Sequence, residues 1–533
     1  MREHLIKDKL KHMKPIILII LDGWGINQNK QGNAIASAKT PFIDEMEKFY
    51  PFLTLNASGL SVGLPWGETG NSEVGHMAIG TGRITYQYLP RIIFSIQDGS
   101  FFKNTALIKT AHHIKQYNSR LHIMGLTSSG TVHSYIDHLY ALLEFAKREK
   151  ISDVFLHIFT DGKDSPPYEA KTLISNLMER MEKLNSGKIT TVMGRQFAMD
   201  RGNNWELTEI AYRALTTETT ETTENIIESI QTGYDQNYND HNLPPITLKN
   251  AKNTRIMDND AVIFFNFRED SARQLTHSFI DENFQKFKRP KINNLFFTAM
   301  TKYEENLPIH TMFEPPKIIN TLSEILSKNG KKQFRIAETE KYAHITYFFN
   351  GLKEKQASNE KRLIIPSLPV TQYENQPKMK TQEITDELLS ALSQNYYDFF
   401  LTNFANADII GHSGNFKNAI QAIEFIDTML KKLYECIIEK NGAMIITSDH
   451  GNAEQMLDPL TGSIEMKHNA NSVPFYLIAR DLKRKTANNV ATIKINVQGF
   501  LSDIAPTILD IMRIEQPKEM TGKSLLERLN INT

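Results

Sequence analysis

The chain has 533 residues, of which 40% are hydrophobic and 23% charged, with Lys plus Arg and Asp plus Glu equal at 61 each. That is an ordinary globular composition with no global basic field for nucleic acid, and it is longer than one core usually supports, so two domains are expected. No segment approaches the roughly 18 consecutive apolar residues of a membrane span, and the single cysteine, Cys436, excludes an intramolecular disulfide and fits a reducing, cytoplasmic compartment.

Residues 1–13 read as a charged N-terminal extension. The run Ile16 to Leu21 follows basic residues but is too short for a signal peptide and ends in Asp22. Its continuous apolar, mostly β-branched character predicts a strand buried on both faces. Ligands of open α/β sheets sit beyond the carboxyl ends of strands, so Asp22 is a candidate metal ligand; it also fits a turn aspartate before Gly23. Residues 40–50 predict a helix with Thr40 as cap and Pro41 at its first position. Next comes Gly70-Asn71-Ser72-Glu73-Val74-Gly75-His76. A serine that makes or breaks phosphate esters needs an exposed turn, small neighbours and a cation to activate its hydroxyl. Gly70 and Gly75 would supply backbone freedom, and a helix opening after Ser72 would turn its amides toward a phosphate. Taken alone, Ser72 also fits a simple helix cap.

From about residue 87 a second series of strands and helices begins. Strands are predicted at Leu121 to Leu126, Val154 to Phe159, Ile189 to Met193, Val262 to Phe267 and Leu295 to Ala299, with helices such as Asp137 to Arg148 and Tyr168 to Lys183 between them. Cations recur just after these strands: Lys163 in Thr160-Asp161-Gly162-Lys163-Asp164, Arg195, Arg201 six residues on, and Arg268. One such cation is usually just solvated, whereas several at one sheet edge make a pocket for a small polyanion. The Thr-Thr-Glu repeats of Thr216 to Glu224 are too polar for a core and predict a surface loop, and Phe313-Glu314-Pro315-Pro316 reads as a stiff linker.

Beyond it, strands are predicted at Gln333 to Glu338, Asp398 to Phe404, Ala443 to Ser448 and Pro474 to Ile478, and Cys436 falls in an amphipathic helical pattern as a buried, inert thiol. Asn406-Ala407-Asp408-Ile409-Ile410-Gly411-His412 places a carboxylate and an imidazole four residues apart, close enough for one cation. Thr447-Ser448-Asp449-His450-Gly451-Asn452 ends a strand with adjacent acid and imidazole whose side chains diverge, so they can serve two cations. Lys467-His468-Asn469 adds another imidazole. Any one of these histidines fits a structural role; together with Asp22 and Ser72 they form a ligand set. Mixed carboxylate and imidazole donors suit manganese, zinc, iron or cobalt.

Asp-Gly-Trp-Gly at 22, the Ser72 stretch, Asn-Phe-Ala-Asn-Ala-Asp-Ile-Ile-Gly-His at 403 and Ser-Asp-His-Gly-Asn at 448 resemble the cofactor-independent phosphoglycerate mutases of the alkaline phosphatase superfamily, from about residue 15 to 525. The resemblance implies an isomerase with an α/β, alkaline-phosphatase-like metal-binding domain (1–86 and 316–533) and an inserted α/β transferase domain (87–315) that holds substrate. It implies that Asp22, Ser72, Asp449 and His450 hold one divalent cation and Asp408, His412 and His468 a second, most simply manganese, with zinc or cobalt as alternatives. No 2,3-bisphosphoglycerate would be needed. His133, Lys163, Asp164, Arg195, Arg201, Arg268 and Lys341 match substrate-binding positions; Asp164 would exchange protons with the substrate hydroxyls, and Lys341 would reach the phosphoryl group.

The expected partner is the small molecule phosphoglycerate, with neither nucleic acid nor membrane, and the family implies a monomer. The chain departs from the family pattern at Lys163 and Ser271, where arginines are expected, and at Ser129, where an aspartate is expected. Arg273, two positions beyond Ser271, could compensate if the loop is rearranged. A metal-dependent phosphatase or another phosphomutase of the same superfamily, and a non-catalytic phospho-metabolite sensor, are the alternatives.

Overall fold

The computed structural model describes residues 13–217, 222–249 and 254–529. The N-terminal extension up to residue 12, and 218–221 of the Thr-Thr-Glu segment, lie outside the described residues. The chain divides into two compact units, Met1–Gln87 with Lys317–Thr533, and Tyr88–Pro316. In chain order, the strands are β1 (Ile16–Leu21), β2 (Phe52–Asn56), β3 (Leu121–Leu126), β4 (Val154–Thr160), β5 (Lys188–Gly194), β6 (Ile246–Thr247), β7 (Ala261–Phe264), β8 (Phe296–Thr301), β9 (His310–Phe313), β10 (Gln333–Glu338), β11 (Glu360–Ile365), β12 (Phe399–Phe404), β13 (Ala443–Thr447), β14 (Val473–Ala479) and β15 (Val497–Phe500).

The first unit is built on an eight-stranded sheet ordered β11-β10-β12-β1-β13-β14-β2-β15. β1 lies at its centre, parallel to both β12 and β13, and all six of its residues are fully buried. That is the placement its unbroken apolar run requires, because a parallel sheet is covered on both faces. β14 runs antiparallel to β13 and β2. At their carboxyl ends the parallel strands β1, β12 and β13 therefore deliver Asp22, the helix Asn406–Gly411 with His412 at its end, and Asp449-His450 to one sheet edge.

The second unit holds a seven-stranded sheet ordered β6-β5-β4-β3-β7-β8-β9, parallel except for β6. Alternate residues of its strands face opposite sides. Leu121 and Ile123 of β3, with Ala261 and Ile263 of β7, enter one core; Met124 and Leu126, with Val262 and Phe264, enter the other. The predicted strand Val262 to Phe267 ends earlier, at Phe264, and frees residues 265–268 to carry Arg268 off the sheet. No described helix is long and apolar enough to cross a membrane.

Several local expectations are corrected. Thr40 precedes the helix Pro41–Phe49 but makes no side-chain cap; its hydroxyl turns instead to Asp44. Cys436, in the helix Phe416–Glu439, is half-buried rather than buried, and burial pushes its thiol pKa up. The linker expected at Phe313 begins one residue later, since Phe313 closes β9.

Candidate active site

Ser72 is the first residue of the helix Ser72–Thr81, and the cap is its neighbour Asn71, whose side chain accepts from Val74 N at 3.1 Å. Ser72 is therefore not the cap. Nor is it on an exposed turn: only 6% of it is accessible. Gly75 has helical φ, and it is glycine because of a close approach, since a Cβ there would meet the Asp449 carbonyl at 2.6 Å. Gly23 needs both freedoms: its φ is +69°, and a Cβ would lie 2.8 Å from Asp408 Cα. These contacts pull the three sequence-distant motifs onto one point.

There, Ser72 Oγ donates to Asp22 Oδ1 at 3.1 Å and lies 3.0 Å from His450 Nε2, while Lys341 Nζ donates to it at 2.9 Å. Lys341 also donates to Asp22 Oδ1 at 2.7 Å and Asp408 Oδ2 at 2.8 Å. A few ångströms on, His412 Nε2 and His468 Nε2 are 3.0 Å apart, each 3.2 Å from Asp408 Oδ1. The rings are anchored from behind: His412 Nδ1 on the Met466 carbonyl, His468 Nδ1 on the Gly70 carbonyl and His450 Nδ1 on the Gly451 carbonyl. With Nδ1 as donor, each Nε2 keeps a lone pair aimed inward, the arrangement of metal-binding histidines.

The charges fit divalent cations. Asp22, Asp408 and Asp449 are buried with one fixed cation, Lys341, among them. Asp449 Oδ2 is buried without a hydrogen-bond donor, which an anionic oxygen tolerates only beside a positive charge. Burial pushes the Asp22 and Asp408 carboxyls up, but the Lys341 ammonium and the neighbouring histidines together outweigh it and hold both well below the usual range. For Lys341 the balance is the mirror image, burial lowering its pKa and the two aspartates raising it further. Burial also opposes charge on His450, yet Asp449 and Asp22 raise its pKa to about 9. The same excess of negative charge that draws a proton there would be satisfied by a divalent ion. Asp408–His412–His468 and Asp22–Asp408–His450 both bring their ligand atoms within 4.8 Å of one another.

In the second unit, Arg195 is the hub. Its Nη1 donates to Asp161 Oδ1 at 2.6 Å and Asp164 Oδ2 at 2.5 Å, and its Nη2 lies 2.9 Å from His133 Nε2. Arginine only donates, so Nε2 is the acceptor; burial and the Arg195 charge lower the His133 pKa to about 4. Arg201 Nη1 donates to Asp270 Oδ2 at 2.5 Å, and Arg268 Nε lies 3.2 Å from the same oxygen. Asp270 in turn stands 3.7 Å from His133 Nδ1, so the two groups of cations form one cluster. Lys163 is exposed and makes no ion pair among the described residues.

The structure thus joins Asp22, Ser72, Lys341, Asp408, His412, Asp449, His450 and His468 in one cluster, and His133, Asp164, Arg195, Arg201 and Arg268 in another. Lys341, expected to reach the phosphoryl group, stands among the candidate metal ligands, its ammonium on Ser72 Oγ, Asp22 and Asp408. Arg273, the residue that could compensate at 271, donates its Nε to the Tyr303 carbonyl and its Nη2 lies 3.6 Å from Glu269. Ser271 is buried and bonded to Asp270, and Ser129 is bonded to Glu169. Sequence reading missed Asp161, Asp270, Asn452 and Asn403. Asn452 donates to Asp408 Oδ1 at 3.0 Å and Asn403 to Asp22 Oδ2 at 2.6 Å. The available signal was position, since each lies within or beside a motif at a strand end.

Residues 14–516 match the model of the metalloenzyme superfamily. A 2,3-bisphosphoglycerate-independent phosphoglycerate mutase of Clostridioides difficile (strain 630) is 46% identical over 97% of this chain and 99% of its own length. That of Clostridium novyi (strain NT) is 47% identical over 96% and 99%. Among solved structures, Leishmania mexicana phosphoglycerate mutase at low cobalt concentration superposes with a TM-score of 0.54 and 27% identity, over 96% of this chain and 97% of that one. With motifs, two-sheet α/β fold and full-length similarity in agreement, the chain belongs to the 2,3-bisphosphoglycerate-independent phosphoglycerate mutases of the metalloenzyme superfamily.

Proposed function

We propose that this chain is an isomerase that interconverts 3-phosphoglycerate and 2-phosphoglycerate, a step of glycolysis and gluconeogenesis, through a phosphoserine on Ser72. The observation that carries it is the convergence on Ser72 Oγ of Lys341, Asp22 and His450, all within 3.1 Å. In this reading Asp22, Ser72, Asp449 and His450 hold one divalent cation and Asp408, His412 and His468 another. Such cations supply Lewis acidity and countercharge for phosphoryl transfer. The carboxylate–imidazole donor set favours manganese, with zinc or cobalt as alternatives.

Lys341 donates to Ser72 Oγ and would stabilise it as the alkoxide, its proton released to solvent before the transfer, aided by the positive end of the helix that Ser72 opens. As the bond from Ser72 Oγ to phosphorus forms, the bond from phosphorus to the substrate oxygen breaks. Asp164 protonates the departing oxygen and then takes the proton from the other hydroxyl of glycerate, which accepts the phosphoryl group back from Ser72. His133, Lys163, Arg195, Arg201 and Arg268 hold the carboxylate and phosphate, so glycerate is retained and water kept out between the two transfers. A cytoplasmic monomer belongs to the same reading.

An enolase-coupled assay with 3-phosphoglycerate and manganese, without 2,3-bisphosphoglycerate, tests it. Sustained turnover is expected. Folded, manganese-loaded protein that gives no turnover refutes it, and release of inorganic phosphate instead identifies a phosphatase.

A further inference from the structure

We infer that Asn403 and His76 are positioning residues for the cation site proposed around Ser72, an inference that rests on that ligand assignment. Both are fully buried. The parallel register of β1 and β12 pairs Ile20 with Asn403, which sets the asparagine beside Asp22 as it leaves its strand. Asn403 Nδ2 donates to Asp22 Oδ2 at 2.6 Å and lies 3.0 Å from His76 Nε2. Its Oδ1 has no partner, and turning the amide over would press that oxygen against the Asp22 carboxylate, so the two donor contacts define its orientation.

This orientation determines the histidine. With an N–H facing it, Nε2 is the acceptor and the proton sits on Nδ1, which donates to the Ser72 carbonyl at 2.8 Å. His76 is near enough to Asp22 and Asp449 to complete a ligand group by distance. Both its nitrogens are engaged, however, so it supports the site rather than binding metal. Its Nδ1 stands 3.1 Å from Asp449 Oδ2 without forming a hydrogen bond to it, which leaves that oxygen for a cation.

The outcome is a division of labour on Asp22. Oδ2 is held by Asn403, and Oδ1 faces Ser72, Lys341 and His450. From the other side, His76 holds the backbone of Ser72 itself. Partners behind metal ligands typically change affinity by roughly 10–100-fold. The polar partners of Asn403 and His76 are Asp22, Ser72, Asp449 and each other, and not Asp408, His412 or His468, so the effect falls on one site.

The test is calorimetric titration of Mn2+ into the full chain and into N403L, repeated in an H412A/H468A background where only the Ser72 site can fill. N403L should weaken that site by roughly 10–100-fold and leave the Asp408–His412–His468 site within about twofold of the parent. Asparagine approximates the Nδ1 end of histidine and glutamine the Nε2 end, so H76N should bind Mn2+ more tightly than H76Q. Thermal unfolding of the metal-free variants checks the fold; if N403L does not fold, N403S is read in the same way and the His76 pair independently. Unchanged affinity in N403L, equal weakening of both sites, or the reverse order for H76N and H76Q overturns the inference alone. A parent chain that does not bind two Mn2+ overturns the ligand assignment and this inference together.

Discussion

Lys341→Met removes an ammonium that donates to Asp22, Asp408 and Ser72 at 2.7, 2.8 and 2.9 Å, and keeps much of the side-chain volume. Two buried carboxylates then lose their fixed countercharge. Breaking a buried ion pair from one side costs about 3–5 kcal/mol, because the remaining charge is stranded in a poor solvent. At about 2 °C per kcal/mol for a large unit, the metal-free variant should melt roughly 6–10 °C below the parent. Divalent cations bound by the same aspartates replace part of that charge, so in saturating manganese the deficit should shrink to less than half. Differential scanning calorimetry in chelator and in excess manganese measures both values. A drop under about 2 °C in chelator, or an equal drop in both conditions, would show that Lys341 is not the countercharge of these carboxylates. Mutase activity should fall by a factor on the order of 10² or more even with manganese present, since Ser72 Oγ loses its charged donor.

Ser72→Ala should abolish mutase activity with the fold intact, and mass spectrometry should find no phosphorylated protein; activity above a few per cent of the parent, from a stock free of parent enzyme, would assign the nucleophile elsewhere. His138 is buried among Tyr135 and Phe267 with no hydrogen-bond partner for either ring nitrogen, and burial lowers its pKa to about 3. The unfolded chain takes up that proton near pH 6.5 and the folded one does not, so stability is full above pH 6.5 and falls toward pH 3, by up to about 1.4 kcal/mol per pH unit. His138→Phe should flatten this acid limb, and urea unfolding at pH 7.5 and 5 would detect a slope that had failed to change. Asp270→Asn removes the carboxylate that bridges Arg201 and Arg268. Competitive inhibition by sulfate should strengthen several-fold, and an inhibition constant unchanged or raised would mean that Asp270 does not restrain those cations.

Much of this protein is legible in the chain alone because the information is local. Ile16 to Leu21 is apolar throughout and mostly β-branched, so a strand covered on both faces is the one place it fits, and the largely apolar β12 and β13 announce themselves in much the same way. The ligand motifs are contiguous stretches at the ends of those strands, and a parallel sheet brings strand ends to one edge whatever the order of the strands. The edge strands of this sheet were not legible: β11 and β15 carry exposed residues in mixed patterns, which resemble loop sequence until a neighbouring strand supplies hydrogen bonds. Which polar groups meet was also decided only by tertiary structure. Lys341 is 319 residues from Asp22, and Asn403 reaches Asp22 because of the register of β12 against β1, which no local pattern encodes. Arg195, Arg201 and Arg268 read in sequence as a pocket for an anion, but that Asp161 and Asp164 reach Arg195, and Asp270 reaches Arg201, from other loops does not show in it. A side chain's chemistry is fixed by its residue type, whereas its partner and its pKa depend on the fold that desolvates it beside particular neighbours.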